Sequence, residues 1–426
     1  MPDLAKVCAR PFESVSVDGG GEMFTCGAFW LPTALGKLPE QSFDQVWNSE
    51  VAQNIRRSIF DGSFEFCNAA ACPHLNSCSG PVGTVEQLFE RGTPSVVLED
   101  IKEQKVVLDH GPLCIDCSYD RSCNLSCTFC RNEVIVERGQ ERDLANEIQQ
   151  QIIDEGLRDA EALYISGSGD ALGSPFFRHW LRTMSAGQLA KVKNIGLGTN
   201  ALLWTPKLWA SLSPHARSRI HTAQIGVDGA SKSTYERIRR GGRWEVILKN
   251  LDFISELRKQ GHLHFVEITM VVQKDNFREM KAFAEMCERF EFDRATYYLI
   301  LGVLTPDRHG RELFRDSAVH FPDHPLHSEF LGCLREVARE PGDKVLLGGD
   351  MRSLAASKPS PSALSACRHL RKVETHLDKL EAGLAELSSL NGALHERLRE
   401  EIDIAERRVS DLRRRGQAVD PANNTP

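Results

Sequence analysis

Apolar residues in the middle of this chain form short runs that alternate with longer amphipathic segments. The short runs are rich in β-branched residues and predict strands, whereas the amphipathic segments have the spacing of one helix face. The predicted strands are Leu113–Tyr119, Ala162–Ser166, Val192–Leu197, Ala223–Val227, Leu263–Val272 and Thr296–Leu301. The predicted helices are Leu144–Glu155, Pro175–Met184, Thr234–Leu257 and Phe277–Phe290. This alternation indicates right-handed βαβ units around a parallel sheet buried on both faces, which is an α/β fold.

The number of strand–helix units sets the architecture of residues 110–305. Six units predict an open or partial (β/α)6 barrel, and a full eight-stranded barrel is the competing count. Residues 1–85 are rich in Gly, Cys and aromatic residues and predict one helix, at 47–62. A connecting stretch separates this small α+β module from the barrel, and residues 306–357 form a C-terminal extension.

Leucines recur with 4-3 spacing after the Pro- and Ser-rich linker Lys358–Ser362. This seam predicts a coiled coil over residues 363–414, through which the chain would form a homo-oligomer. A turn at 388–392 would instead fold the segment into a helical hairpin within one chain. Residues 415–426 are predicted to be a disordered tail.

Composition narrows the class of protein. A length of 426 residues allows two or three domains, and a net charge of −7 gives no reason to expect a nucleic-acid partner. The first residues lack the apolar core of a secretory signal, and no run approaches the ~20 apolar residues that cross a membrane. The chain is therefore expected in the cytoplasm.

Thirteen cysteines are unusual for a protein of a reducing compartment, where clustered thiols more often bind metal than form disulfides. Cys287, Cys333 and Cys367 are isolated and are predicted to be buried apolar residues. Cys114 and Cys117 lie on the first predicted strand and are also assigned to the core, with a role near a cluster as the alternative. The remaining eight fall into two groups near the N-terminus.

Cys123, Cys127 and Cys130 have the spacing C-x3-C-x2-C and directly follow the first predicted strand. Thiolates hold iron–sulfur clusters, and three of them on one loop leave one iron of a [4Fe–4S] cluster open. An open coordination position distinguishes a catalytic metal site from a structural one. A zinc knuckle is the alternative, although no fourth ligand follows at zinc-finger spacing.

This run, with an aromatic residue before its last cysteine, resembles the radical S-adenosylmethionine (SAM) superfamily motif. The resemblance implies that the open iron binds SAM, and that the reduced cluster cleaves SAM to methionine and a 5′-deoxyadenosyl radical. Segments after the second, third and fourth strands also resemble the family, and Gly226 stands where a serine is common. The resemblance implies SAM contacts from Phe129, Gly167, Ser168, Gly169, Asp170, Asn200, Asp228 and Arg239.

Two further patterns concern cofactors. Gly196–Ala201 fits the G-x-G-x-x-A dinucleotide fingerprint, but it lies in the third unit rather than the first and does not open directly into a helix.

The N-terminal cysteines resemble the SPASM/twitch modules of radical SAM enzymes, which usually follow the barrel rather than precede it. That likeness implies one auxiliary [4Fe–4S] cluster, with a structural zinc site as the alternative. The candidate ligands are Cys8, Cys26, Cys67, Cys72 and Cys78, and either of the last two completes the set.

The resemblance implies an enzyme that abstracts a hydrogen atom from a peptide or from a carbohydrate or other small molecule. An auxiliary cluster that accepts the remaining electron implies net oxidation, and the first cluster needs an electron donor such as a flavodoxin or ferredoxin. The competing hypothesis is a non-catalytic iron–sulfur or zinc scaffold that acts through its C-terminal helices.

Overall fold

The computed structural model describes residues 6–28, 30–69, 72, 74–75, 78–166, 168–300, 308–340, 344–349 and 351–356. The chain divides into two compact units. The first comprises Met1–Met270 and Phe283–Thr296, and the second Val271–Ala282 and Tyr297–Pro426. The predicted coiled coil at 363–414 and the tail at 415–426 lie outside the described residues.

The N-terminal module is built from short elements. Its strands are β1 (Val7–Cys8), β2 (Ser14–Val17), β3 (Glu22–Phe24), β4 (Gly36–Lys37) and β5 (Val82–Gly83). Its helices are α1 (Arg10–Glu13), α2 (Phe43–Trp47) and α3 (Glu50–Phe60). The helix predicted within residues 47–62 is α3, and Ser49 caps its start by accepting a hydrogen bond from the Ala52 N–H. The short helices α1 and α2 were not predicted.

The connecting stretch after the module holds two helices that its sequence did not predict. They are α4 (Val85–Glu90) and α5 (Ser95–Lys102). The Thr84 side chain and the Gln87 side chain cap the start of α4 reciprocally, which is a capping box.

All six predicted strands of the barrel are present, with ends shifted by a few residues. They are β6 (Cys114–Cys117), β7 (Ala162–Ile165), β8 (Asn194–Thr199), β9 (Ile220–Gly226), β10 (Phe265–Val272) and β11 (Arg294–Leu299). The helices are α6 (Gln140–Asp154), α7 (Pro175–Thr183), α8 (Pro206–Ser211), α9 (Pro214–Arg217), α10 (Lys232–Ile238), α11 (Trp244–Lys259) and α12 (Met280–Arg289). The predicted helix Thr234–Leu257 is divided between α10 and α11, since Gly241 has a φ of +90° that a helix excludes.

The barrel strands and β2, β3 and β4 form one sheet in the order β11-β10-β9-β8-β7-β6-β2-β3-β4, whereas β1 and β5 pair antiparallel in a separate sheet. Neighbouring strands from β6 to β10 pair in parallel, which gives the partial (β/α)6 barrel of the α/β class. The β2 strand also pairs in parallel with β6, with Ser14 opposite Cys114 and Val17 opposite Cys117. The N-terminal module therefore extends the barrel sheet directly, which no local sequence pattern predicted.

The two faces of the barrel sheet differ in exposure. Side chains on one face, such as Ile115 and Leu163, are buried under the helices, whereas their neighbours Asp116, Tyr164 and Gln224 are partly exposed. The expectation of a sheet buried on both faces was therefore wrong for this face. This face is partly open and carries polar side chains.

The second unit contains a 3₁₀ turn at Phe277–Glu279, α13 (Arg308–Ser317), α14 (His327–Val337), β12 (Val345–Leu347) and α15 (Met351–Ala356). Next to β12, the Gly348 N–H donates a hydrogen bond of 2.9 Å to the Tyr297 carbonyl. Among the described residues, no helix is both long enough and apolar enough to cross a membrane.

Candidate functional site

The predicted cluster loop follows β6 and turns back on itself. The Cys123 N–H donates to the Ile135 carbonyl at 2.9 Å, and the Cys130 N–H donates to the Cys127 carbonyl at 2.9 Å. Cys123 and Cys127 are buried and Cys130 is partly exposed. Leu125 lies between them in a small apolar cluster, against which Phe129 and Leu202 pack. The three thiols of the motif are therefore brought together on one ordered, largely buried loop.

Polar groups of the protein surround these thiols. The Leu125 N–H lies 3.5 Å from the Cys123 Sγ, and Nε of Arg131 lies 3.4 Å from the Cys130 Sγ. Burial raises the pKa of Cys123 to about 11. A thiol in such a position is deprotonated by a metal ion that it coordinates, and the neighbouring guanidinium favours the resulting thiolate. The donor set therefore fits an iron–sulfur cluster.

The segment after β7 is arranged around a buried carboxylate. Asp170 accepts hydrogen bonds from the backbone N–H groups of Leu172, Gly173 and Asn200 and from the Thr199 hydroxyl. Burial raises the pKa of Asp170, and the bonds from Asn200 and Gly173 oppose that shift. The carboxylate is thus occupied by protein donors, and it joins the glycine-rich segment to the residues that follow β8.

Two other residues of the glycine-rich segment, Ser168 and Gly169, contact the cysteine loop. Gly167 lies outside the described residues, and Ser168 is exposed, with its carbonyl accepting a hydrogen bond from Arg131. A Cβ on Gly169 would lie 2.5 Å from the Ser122 carbonyl oxygen and 2.6 Å from that of Asp120. Gly169 therefore permits a close backbone approach to the start of the cysteine loop.

Asn200 reaches the cysteine loop from the end of β8. Its amide nitrogen donates to Oδ1 of Asn124 at 3.0 Å and lies 3.8 Å from the Cys123 Sγ. Asn200 is buried, so this contact is shielded from water. The structure therefore places Asn200 beside the first cysteine of the motif.

Asp228 and Arg239 form a buried ion pair on the other side of the loop. Nη2 of Arg239 lies 2.5 Å from Oδ2 of Asp228, which is fully buried. The guanidinium also lies over the Phe129 ring, 5.9 Å from its centre. Nε of Arg239 and the Tyr235 hydroxyl are buried without a hydrogen-bond partner among the described residues. Unpaired buried donors are costly, so these two groups fit a polar ligand at this position.

The auxiliary cysteines converge from distant parts of the N-terminal module. Burial raises the pKa of Cys67 to about 11, and the nearby thiols of Cys72 and Cys26 add to the shift. Burial also raises the pKa of Cys8, with further contributions from Cys26 and Cys67. Cys78, in contrast, is exposed, and its carbonyl accepts a hydrogen bond from Arg91. The structure therefore groups the first four of these cysteines.

Sequence reasoning missed a polar row on the open face of the sheet. The Tyr164 hydroxyl donates to Gln224 at 2.9 Å, and Gln224 donates to Oε1 of Glu267 at 2.7 Å. A Cβ on Gly196 would lie 2.5 Å from the Tyr164 ring, so a glycine of the G-x-G-x-x-A pattern makes room for this side chain. Alternation of polar residues on neighbouring strands was the available signal.

The five cysteines that the sequence assigned to the core have different outcomes. Cys117 and Cys287 are buried, as predicted, whereas Cys114 and Cys333 are partly exposed. Cys114 lies on the open face of β6, which explains its exposure. Cys367 lies outside the described residues. Within the described ranges, no group of three or more His, Cys, Asp or Glu side chains is arranged to hold a single metal ion. This agrees with the cysteine groups described above, because each thiolate of a [4Fe–4S] cluster binds a different iron.

Comparison with protein families identifies both parts of the first unit. Residues 119–287 match the radical SAM superfamily, and residues 8–73 match the SPASM iron–sulfur cluster-binding domain. The chain therefore contains a region with the signature of a radical SAM domain. More particularly, the region that matches the SPASM domain precedes it along the chain. These domains imply a [4Fe–4S] cluster, SAM and an auxiliary iron–sulfur cluster.

Solved structures share limited similarity with the chain. Streptococcus suis SuiB bound to the precursor peptide SuiA is 16% identical, with a TM-score of 0.36, over 72% of this chain and 64% of SuiB. The structure of anSMEcpe with AdoMet and a peptide is 15% identical, with a TM-score of 0.36, over 53% of this chain and 59% of that one. The chain thus spans less than two thirds of either. A search of curated proteins found no match.

Proposed function

We propose that this protein is an enzyme that reductively cleaves SAM and removes a hydrogen atom from its substrate. Cys123, Cys127 and Cys130 would hold a [4Fe–4S] cluster whose fourth iron binds SAM. When bound and reduced, the cluster would supply the electron that cleaves SAM to methionine and the 5′-deoxyadenosyl radical. The observation that carries the proposal is the grouping of these thiols on one loop, with Asn200 on one side and Arg239 on the other.

Protein groups around the loop would bind and orient SAM and exclude water. Arg131 donates toward the Cys130 sulfur, and hydrogen bonds to ligating sulfurs are one means by which proteins tune a cluster. The buried Nε of Arg239 and the Tyr235 hydroxyl are the donors that a SAM carboxylate would satisfy. Burial of Cys123 and Cys127 keeps water from a reactive intermediate.

The auxiliary site would make the reaction a net oxidation. Cys8, Cys26, Cys67 and Cys72 would hold one [4Fe–4S] cluster that accepts the electron left on the substrate radical, while the substrate releases a proton. A flavodoxin or ferredoxin would supply the electron that starts the reaction. The polar row of Tyr164, Gln224 and Glu267 suits hydrogen-bonding groups, which both peptides and carbohydrates or other small molecules offer.

The direct test is SAM cleavage by the full chain, reconstituted with iron and sulfide without oxygen and reduced with dithionite. We expect 5′-deoxyadenosine and methionine to accumulate together, and a deuterated candidate substrate to transfer deuterium to the deoxyadenosine. A reduced, intact cluster that leaves SAM unchanged would contradict the proposal and favour the non-catalytic scaffold.

Replacing Cys72 with alanine is expected to remove the auxiliary cluster. Since each [4Fe–4S] cluster contains four irons, the iron content should fall from about eight to about four per chain. Cys78→Ala is the matched control and should keep about eight, because Cys78 is exposed whereas the other four cysteines are partly buried. Loss of iron from the Cys78 variant with retention in the Cys72 variant would make Cys78 the fourth ligand.

A further inference from the structure

The side chain of Arg239 packs directly against the backbone at the end of β9. Gly226 is the last residue of the strand, and a Cβ built there would overlap Nη2 of Arg239 and lie 3.0 Å from its Cζ. In the family motif that this segment resembles, a serine is common at this position. In this chain the guanidinium occupies the space that the serine side chain would need.

The backbone on either side of Arg239 is hydrogen-bonded to the cysteine loop. The Thr128 N–H donates to the Ile238 carbonyl at 3.0 Å, and the Ser126 N–H donates to the Arg240 carbonyl at 3.1 Å. These bonds flank Cys127. The side chain of Arg239 extends from the same short segment to Gly226 and Asp228. Arg239 thus joins the cysteine loop to the end of a barrel strand.

We infer that Gly226 and Arg239 act as a pair that positions the cysteine loop on β9. Because Gly226 has no side chain, the guanidinium packs against its backbone, and the Asp228 carboxylate holds the guanidinium there. A planar guanidinium fits this space and the carboxylate together, whereas a lysine ammonium would not. Arg239 is a positioning residue in this role, because it acts on the cluster through the backbone of the loop. The inference rests on the proposed function.

Substitution at Gly226 should disturb this arrangement without unfolding the protein. The atoms that a new Cβ meets belong to the far end of a flexible side chain, so the guanidinium can move away. It would then lose its contact with Asp228. If room for Arg239 is the reason for the glycine, a side chain at 226 should have no effect once Arg239 has been removed.

The test is a double-mutant cycle with Gly226→Ala, Arg239→Gln and both together, in the reconstituted full chain. The measurements are the dissociation constant for SAM and the EPR spectrum of the reduced cluster with and without SAM. We expect Gly226→Ala to raise the dissociation constant about tenfold, which corresponds to ~1.4 kcal/mol. Both single variants should change the spectrum recorded without SAM, and the double variant should match Arg239→Gln alone.

Gly187→Ala serves as the control, because a Cβ there meets its nearest atom, the Ser185 hydroxyl oxygen, at 3.9 Å. It should behave like the unaltered protein. Additive effects in the cycle, or a Gly226→Ala variant with normal SAM affinity and spectrum, would overturn the inference. So would an Arg239→Gln variant that weakens SAM binding while its spectrum without SAM stays normal, since that result means a SAM contact only. Failure of the unaltered protein to bind a cluster or SAM would instead overturn the proposed function.

Discussion

Replacement of Cys127 with alanine is expected to abolish SAM cleavage. Loss of an outer-shell partner of a metal site costs roughly 10–100-fold, and loss of a ligand itself should cost more. The variant should form less than a hundredth of the 5′-deoxyadenosine that the unaltered protein forms. Its iron content should fall from about eight to about four per chain, because the auxiliary site is separate.

Cys333→Ala provides the matched control for this experiment. Cys333 lies on α14 and is partly exposed, so its loss should leave the iron content and SAM cleavage unchanged. A Cys127 variant that kept all its iron and formed deoxyadenosine at the normal rate would remove the basis of the proposed active site. An equal loss of iron in both variants would indicate nonspecific damage to reconstitution and contradict the assignment of Cys127.

Replacement of Asp170 with asparagine is expected to destabilise the SAM site and the fold together. The carboxylate accepts hydrogen bonds from three backbone N–H groups and the Thr199 hydroxyl, and an amide cannot accept all of them. Leaving buried donors unpaired should lower the free energy of unfolding by about 3 kcal/mol. Because Asn200 depends on this carboxylate, SAM affinity should also fall.

Urea denaturation of the full chain would measure the first effect, and titration with SAM the second. Asp154→Asn is the control, since Asp154 is exposed and lies at the end of α6. A surface change of this kind should stay within about 0.5 kcal/mol. If the Asp170 and Asp154 variants had the same stability and affinity, the carboxylate would not organise this segment as described.

Much of the barrel could be predicted because its signals are local. Short β-branched runs separated by amphipathic segments marked all six strands from β6 to β11, and only their ends moved. The cysteine loop was equally visible, since its three thiols lie within eight residues. The break between α10 and α11 was harder to predict, because apolar spacing continues across Gly241 and conceals the end of α10.

Contacts between distant segments explain the features that the sequence did not reveal. The spacing of the N-terminal cysteines left Cys72 and Cys78 as alternatives, and the fold brings Cys72 toward Cys26 and Cys67. The polar row likewise requires residues from β7, β9 and β10, and the alternation within each strand does not say which of these residues become neighbours. Side chains from separate strands become neighbours only when the register is known.

The sequence by itself determined the class of fold, the loop on which three cysteines are grouped and the kind of cofactor that such a group suits. These depend on residue types at fixed short separations, which the chain retains whatever its tertiary structure. Only the tertiary structure decided that β2 joins the barrel sheet beside β6 and that Arg239 lies on Gly226 against Asp228. Both contacts join segments whose separation along the chain is unrelated to their distance in space, so burial and strand register, rather than local pattern, select them.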